Sequence, residues 1–341
     1  MLTPWIKKAL LQTQFLRLAS RFRSSSVAIL MYHSVMDDPV TAELALGGIV
    51  HSTKIFRAQI EIIARDFHPV SMQDVYLFLT GKRTLPERAV AVTFDDGYAD
   101  NYQAASQILT PLGVPAAFYV TVDSIDTRRL PWTARLRYSF LTSKKESWSE
   151  GEGKTVPGKT SVGKIWPLGA EHERNRAFER VAELACQLSG DRQHEYVASI
   201  EKELDSAIDY SSTQSMMTWS ELRTLAGSGH IVGSHTLTHP NLAHIPEDQM
   251  RRELTEAKRR LEQELSASVT HFAYPCPALQ PHWTDRTVTA TREIGYKTAV
   301  TTTRGAVRKN DDPLCLRRIR PRKTVDDFRW NLEFAFLRRR V

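Results

Sequence analysis

The stretch VAVTFDDGYADN, Val90 to Asn101, runs a mostly apolar segment straight into two adjacent acids and a glycine. A short apolar run that ends at turn-forming residues reads as a buried strand. Asp95 and Asp96 therefore project from the strand's C-terminal end, and alternation sends neighbouring side chains in different directions. The two carboxylates can then do different work: one can hold a metal while the other takes a proton from a water beside it. Gly97 allows the sharp turn that follows.

Working outward from this strand, the chain alternates strand, loop and helix. SVAILMYHSV (26–35) is a β-rich run ending near His33, and a helical pattern follows through Phe56, Ile60 and Ile63. A short helix over MQDVYLFLTG leads into AVAVTF, a helix spans about Tyr98 to Leu112, and GVPAAFYVTV is the next strand. Such alternation implies a parallel sheet with reactive groups at the C-terminal strand ends. From about 124 to 215 the rhythm breaks into a Gly-, Ser- and Lys-rich tract and two helices, around 171–188 and 193–207. This segment reads as an insertion riding on the barrel, suited to a lid or a substrate rim. The alternation resumes with TWSELRTLAGSG, HIVGSH, a helix from Glu247 to Leu265, THFAYP, a helix near Thr287–Ile294, and YKTAVTT.

The 341 residues, 41% apolar and 25% charged, match a soluble globular chain and exclude a fibrous or wholly disordered one. Lys and Arg number 46 against 39 Asp and Glu, a formal charge of +7, with clusters in LRRIRPRK (316–323) and FLRRRV (336–341). The excess favours an anionic partner such as phospholipid head groups or a lipid-linked saccharide, while no nucleic-acid recognition motif is present. Cys186, Cys276 and Cys315 are too few and scattered for a disulfide framework or a cysteine zinc site, so any metal must use other ligands. Residues 1–25 form a basic segment with interleaved apolar residues and without a signal peptide's apolar core and cleavage site. The expected location is the cytoplasm or the inner face of the cytoplasmic membrane, with peripheral contact to anionic lipid; export is the alternative.

The second chemical element is GSHTLTHPNL, where His235 closes the strand HIVGSH and His239 follows four residues later, just before Pro240. That spacing can bring two imidazoles round one ion, and two histidines with one carboxylate make a hydrolytic site with room for water. Taken singly, an Asp pair after a strand is usually a turn or helix cap, and two histidines four apart are usually packing residues. Both motifs, however, sit at C-terminal ends of apolar strands in one alternating chain, the face where such folds keep their sites.

TFDDG together with SHTLTH resembles the NodB-type polysaccharide deacetylases, carbohydrate esterase family 4, and FAYPCP (272–277) is similar to the third motif of the branch with a FAYP-type sequence. The resemblance spans 29–35 through 316–321, interrupted by the insertion. It implies a distorted (β/α)7 barrel over residues 26–341 with a largely helical insertion. It also implies Asp95 as catalytic base and Asp96, His235 and His239 as ligands of Zn2+ or another divalent ion such as Co2+, Mn2+ or Ni2+. Tyr274, Pro275 and Cys276 would line the groove and supply an oxyanion-binding N–H, that of Cys276, because Pro275 has none. The arginine that steadies the base is missing from this motif, and Arg318 or Arg320 would substitute. The family's later aspartate–tryptophan motif is not recognisable, and Arg318 stands where a histidine is usual, leaving His33 as candidate general acid or substrate-binding residue. Trp132, Trp219 and Trp283 are candidates for sugar stacking, with buried core as the ordinary alternative. The implied reaction is hydrolysis of the acetamide of an N-acetylated amino sugar in a glycan. The alternatives are an O-acetyl esterase acting on glycans such as acetylxylan and a non-catalytic glycan-binding module.

Overall fold

The computed structural model describes residues 26–37, 45–150, 164–206, 208 and 215–337. The basic segment 1–25, the last residues of FLRRRV and most of the Gly/Ser/Lys-rich tract lie outside them. Among the described residues seven parallel strands follow one another in space as in sequence: β1 (Ser26–Tyr32), β2 (Ala89–Phe94), β3 (Ala116–Val120), β4 (Ile231–Ser234), β5 (His271–Ala273), β6 (Thr298–Arg304) and β7 (Leu316–Arg318). The Ile319 N–H donates to Ile29 O at 2.8 Å, and Met31 N–H donates to Ile319 O at 3.0 Å, so β7 returns to β1 and the sheet nearly closes into a barrel. Val307–Arg308 adds antiparallel to β1, and His68–Pro69 adds parallel to β2.

Period-two alternation divides the apolar residues between two compartments. Val27, Ile29, Ala89, Ala91, Ala117, Tyr119, Ala273, Val300 and Leu316 fill the barrel interior. Their neighbours Leu30, Tyr32, Val92, Phe94, Phe118 and Phe272 pack outward beneath the helices. The interior is tight: a Cβ on Gly233 would lie 2.6 Å from the Tyr119 ring and 2.8 Å from His271 O, so only glycine fits there.

The helical layer comprises α1 (Thr53–Asp66), α2 (Met72–Leu79), α3 (Asp100–Ala104), α4 (Val122–Thr127), α5 (Trp132–Thr142), α6 (Glu171–Ala185), α7 (Gly190–Leu204), α8 (Trp219–Gly227), α9 (Glu247–Leu265), α10 (Asp285–Glu293) and α11 (Val325–Leu337). Ser52 caps α1, and the Ser71/Asp74 and Thr218/Glu221 pairs close capping boxes on α2 and α8. Helices α5, α6 and α7 enclose a separate apolar cluster centred on Trp132, Leu136, Phe140, Trp148, Val181 and Ile200. These helices form a cap beside the mouth of the barrel. Among the described residues no helix is long and apolar enough to cross a membrane.

Two elements differ from their sequence reading. The run 26–35 is not one strand: β1 ends at Tyr32, and Ser34–Val35 turns away to pair with Val50–His51. The cause lies in the first turn of α3, where Asp100 accepts from Ser34 Oγ and Val35 N while Asn101 Nδ2 donates to His33 O at 2.6 Å. The helix expected over 98–112 begins at Asp100 and widens into a π turn over Ala105–Leu109.

Candidate active site

Three side chains reach the barrel axis through the same alternation. Asp95 continues the inward series Ala91, Thr93; His235 continues Ile231, Gly233; and Arg318 follows Leu316. All three are buried: Asp95 and His235 are 2% exposed and Arg318 is 1% exposed. Asp96 breaks the alternation by adopting φ +75°, and Gly97 follows at φ +94°. A Cβ on Gly97 would meet Val120 Cγ1 at 3.0 Å, so this turn requires glycine both for its backbone and for its space. The turn brings Asp96 Oδ1 to 3.5 Å from both His235 Nε2 and His239 Nε2. One ligand atom from each of the three residues lies within 4.8 Å of the other two, and all three residues are buried.

The donor set fits a divalent cation. His235 Nδ1 lies 2.8 Å from Ala273 O, so Nδ1 carries a proton and Nε2 is the nitrogen turned to Asp96. Burial would lower the pKa of the ring, but Asp96 and Asp95 outweigh it and raise it, and a cation at this point would take the place of the Nε2 proton. Burial, reinforced by the neighbouring His235, brings the His239 pKa down to about 4, so that ring stays neutral and able to ligate. Burial alone would raise the Asp96 pKa, but His235, His239 and His33 outweigh it and keep the carboxyl well below the usual range. One carboxylate and two imidazoles within reach of a single point is a hydrolytic metal centre's donor set, with positions left for water and substrate.

Asp95 lies near this cluster, and its charge acts on both His235 and His239. Arg318 holds it with a bidentate fork, Nη1 to Oδ1 at 2.7 Å and Nη2 to Oδ2 at 2.6 Å. The guanidinium is itself fixed by Nε donating to Thr301 O at 2.9 Å and Nη1 donating to Thr93 Oγ1 at 3.2 Å. Burial would raise the Asp95 pKa; Arg318, His235 and His33 reverse this, and the carboxyl is lowered and stays ionised. His33 Nε2 lies 3.9 Å from Asp95 Oδ2, which puts His33 at the site as well. Its pKa is lowered, by burial first.

The third motif divides differently from the sequence expectation. The Tyr274 ring is 1% exposed and packs outward against Phe272 and Trp283, and its N–H donates to Val300 O at 3.1 Å. Tyr274 is therefore a packing residue and offers substrate neither its ring nor its N–H. The reason is parity: Ala273 points into the barrel, so Tyr274 cannot. Pro275 is buried and Cys276 exposed, with Cys276 Sγ 3.0 Å from His282 Nδ1. Among the described residues nothing accepts from the Cys276 N–H. Of the two arginines proposed to steady Asp95, Arg318 does so; Arg320 is exposed, one pleat beyond the strand end. Trp132 is 3% exposed and donates Nε1 to His239 O at 2.9 Å, which excludes it from a sugar-stacking surface. Trp219 lies on the outside of the barrel, its Nε1 donating to Asp126 Oδ1, and Trp283 stacks on Tyr274.

Sequence reasoning missed Glu253. This 2%-exposed carboxylate on α9 accepts from Leu237 N at 2.9 Å, Thr238 N at 2.8 Å and Thr238 Oγ1 at 2.6 Å, holding the loop between the two histidines. Its only sequence signal is an acid at a buried position of an otherwise amphipathic helix.

The polysaccharide deacetylase family model matches residues 82–149 and 192–299. The chain belongs to the polysaccharide deacetylase family and is a hydrolase of acetylated polysaccharides. The Bacillus subtilis (strain 168) protein YxkH, whose name also places it among polysaccharide deacetylases, is 19% identical over 299 residues, covering 87% of this chain and 72% of its own. Among solved structures, Streptococcus pyogenes deacetylase PplD in complex with acetate superposes with a TM-score of 0.59 at 18% identity, covering 92% of this chain and 99% of that one. IcaB from Ammonifex degensii gives a TM-score of 0.56 at 17% identity, covering 93% and 99%. At these identities the two structures bear on the fold alone.

Proposed function

We propose that this deacetylase is a metal-dependent N-deacetylase that hydrolyses the acetamide of an N-acetylated amino sugar within a glycan, releasing acetate and leaving a free amine. The observation that carries the proposal is an ionised carboxylate, Asp95, held by Arg318 beside a separate Asp96/His235/His239 donor cluster. A divalent cation held by that cluster would lower the pKa of a bound water from ~15.7 towards ~7 and polarise the acetyl carbonyl. Asp95 is the general base in this reading: its two oxygens are fixed by Arg318, so it takes the proton without having to reorient. The Cys276 N–H, without an acceptor among the described residues, donates to the carbonyl oxygen as negative charge develops there. His33, 3.9 Å from Asp95, relays to the departing amine the proton that Asp95 took from the water; with its pKa lowered by burial the ring rests neutral and supplies no proton of its own. The donor set suits zinc, and Co2+, Mn2+ or Ni2+ would satisfy the same nitrogen and oxygen ligands.

The test is mass spectrometry of defined N-acetylated oligosaccharides incubated with metal-loaded protein, run beside acetylated xylan. Loss of one acetyl mass from the amino sugar is expected, and Asp95→Asn should retain metal while losing roughly 100-fold or more in turnover. Acetate from xylan alone would make the protein an O-acetyl esterase. Bound metal with no acetate from any glycan would make it a binding module, and an Asp95→Asn variant with wild-type turnover would remove Asp95 as the base.

A further inference from the structure

We propose that the helical cap formed by α5–α7 is part of the metal-binding apparatus, with Trp132 acting as a positioning residue for His239. The inference rests on the Asp96/His235/His239 reading above and adds to it the part of the chain that sets how tightly the ion is held.

The loop carrying the second histidine has an unfavourable backbone. Thr236 and His239 both have positive φ, +70° and +62°, a region that side-chain-bearing residues rarely adopt and that persists only where surroundings enforce it. From one side the enforcement comes from Glu253 on α9, and within the loop from Thr236 Oγ1, which accepts from His239 N at 3.0 Å. From the other side it comes from the cap, at three successive points. Trp132 Nε1 donates to His239 O at 2.9 Å, Gly190 N donates to Thr238 Oγ1 at 3.2 Å, and Asn241 N donates to Cys186 O at 3.0 Å. Residues 238, 239 and 241 are thus clasped by α5, by the start of α7 and by the end of α6. Two of these contacts, from Cys186 and Gly190, come from residues 150–191, between the stretches matched to the family.

His239 needs this support more than His235 does. Its partner's ring is anchored through Nδ1 to Ala273 O, whereas His239 Nδ1 is buried without a hydrogen-bond partner among the described residues. The orientation of the His239 ring is therefore set through its backbone, and the indole N–H on its carbonyl is the contact that fixes it from outside the loop. The indole ring in turn is held by the cap cluster, packed with Leu136 and Phe140. Groups that orient a metal ligand without touching the ion change affinity by roughly 10–100-fold when removed.

The experiment measures Zn2+ affinity of the full chain by competition with a chromophoric chelator, together with the melting temperature of the metal-free protein. Trp132→Phe keeps most of the ring packing and removes the N–H; it is expected to weaken Zn2+ binding about 10-fold. Phe140→Leu removes buried volume from the same cluster without touching the loop, and it should lower the melting temperature while leaving Zn2+ affinity within about twofold. Thr238→Val deletes the hydroxyl that accepts from Gly190 and donates to Glu253, and should weaken binding at least as much; Trp132→Met, equally without the N–H, serves in place of Trp132→Phe if that variant does not fold. Wild-type affinity in both Trp132→Phe and Thr238→Val would overturn the proposal, as would equal weakening in Phe140→Leu, which would mark the cap as merely structural. A wild-type chain that binds no Zn2+ would instead remove the metal-site reading beneath it.

Discussion

At the scale of single residues, Arg318 decides what Asp95 can do. A buried carboxylate without a partner would take up a proton, whereas one in a bidentate guanidinium fork stays ionised and rotationally fixed. Breaking such a pair leaves an uncompensated buried charge, so Arg318→Met should destabilise the fold by about 3–5 kcal/mol in urea denaturation. Arg318→Met combined with Asp95→Leu should recover much of that loss, because an apolar pair replaces the ionic one. Additive losses in the double variant would show that the pair is not coupled as described. A second buried pair, Arg88 with Glu333 at 2.8 Å, joins the residue before β2 to α11 and so sits at the opposite, N-terminal end of the strands. Its position gives it a part in stability and none in the chemistry. Of the residues at the site, Asp95, Asp96, His235 and His239 were legible from two motifs, because strand-end position and spacing are local properties. Arg318 and Arg320 could not be told apart in the sequence: both lie on the inward parity, and only the end of β7 determines which one stops level with Asp95.

At the scale of elements, the first turn of α3 explains why β1 ends where it does. Asp100 accepts from Ser34 Oγ and Val35 N, and Asn101 holds His33 O, so the start of one helix places the histidine that borders the site. Burial raises the Asp100 pKa to about 6 despite these bonds. An unfolded Asp titrates near 3.9, so between roughly pH 4 and 6 the folded chain holds a proton that the unfolded chain has lost. This group's contribution to stability is therefore present at the acid end of that window and is lost as the pH rises through it. Asp100→Asn should gain relative to wild type between pH 5 and pH 7 in chemical denaturation of the metal-free protein; a constant difference across that range would contradict the assignment. Helix α9 supplies the matching support for the other half of the site through Glu253. Its bounds, Glu247–Leu265, were readable from the sequence, whereas the partner of its one buried acid was not, since Leu237 and Thr238 lie in a loop whose path depends on the cap.

At the scale of the whole molecule, the three candidate ligands come from two loops that are 139 residues apart between Asp96 and His235 in the sequence and meet only when the barrel closes. A cation that binds this arrangement and not the unfolded chain must stabilise the fold, by about 2.7 kcal/mol at a concentration 100 times its Kd. Saturating Zn2+ should raise the melting temperature of the wild type by several degrees, and His235→Ala should abolish the increase; scanning calorimetry with and without a chelator measures both. A melting temperature indifferent to zinc would argue against a metal centre. By itself the sequence determined the alternating strand and helix order, the parity that aims Asp95, His235 and Arg318 inward, and the glycine needed at Gly97, because periodicity, strand ends and turns depend on neighbouring residues. Tertiary structure alone decided that Tyr274 is packing, that Arg318 rather than Arg320 grips Asp95, and that Trp132, Gly190 and Glu253 close around the His239 loop. Those outcomes depend on which elements are brought together as the barrel closes and the cap packs against it, and no short stretch of chain encodes that distance.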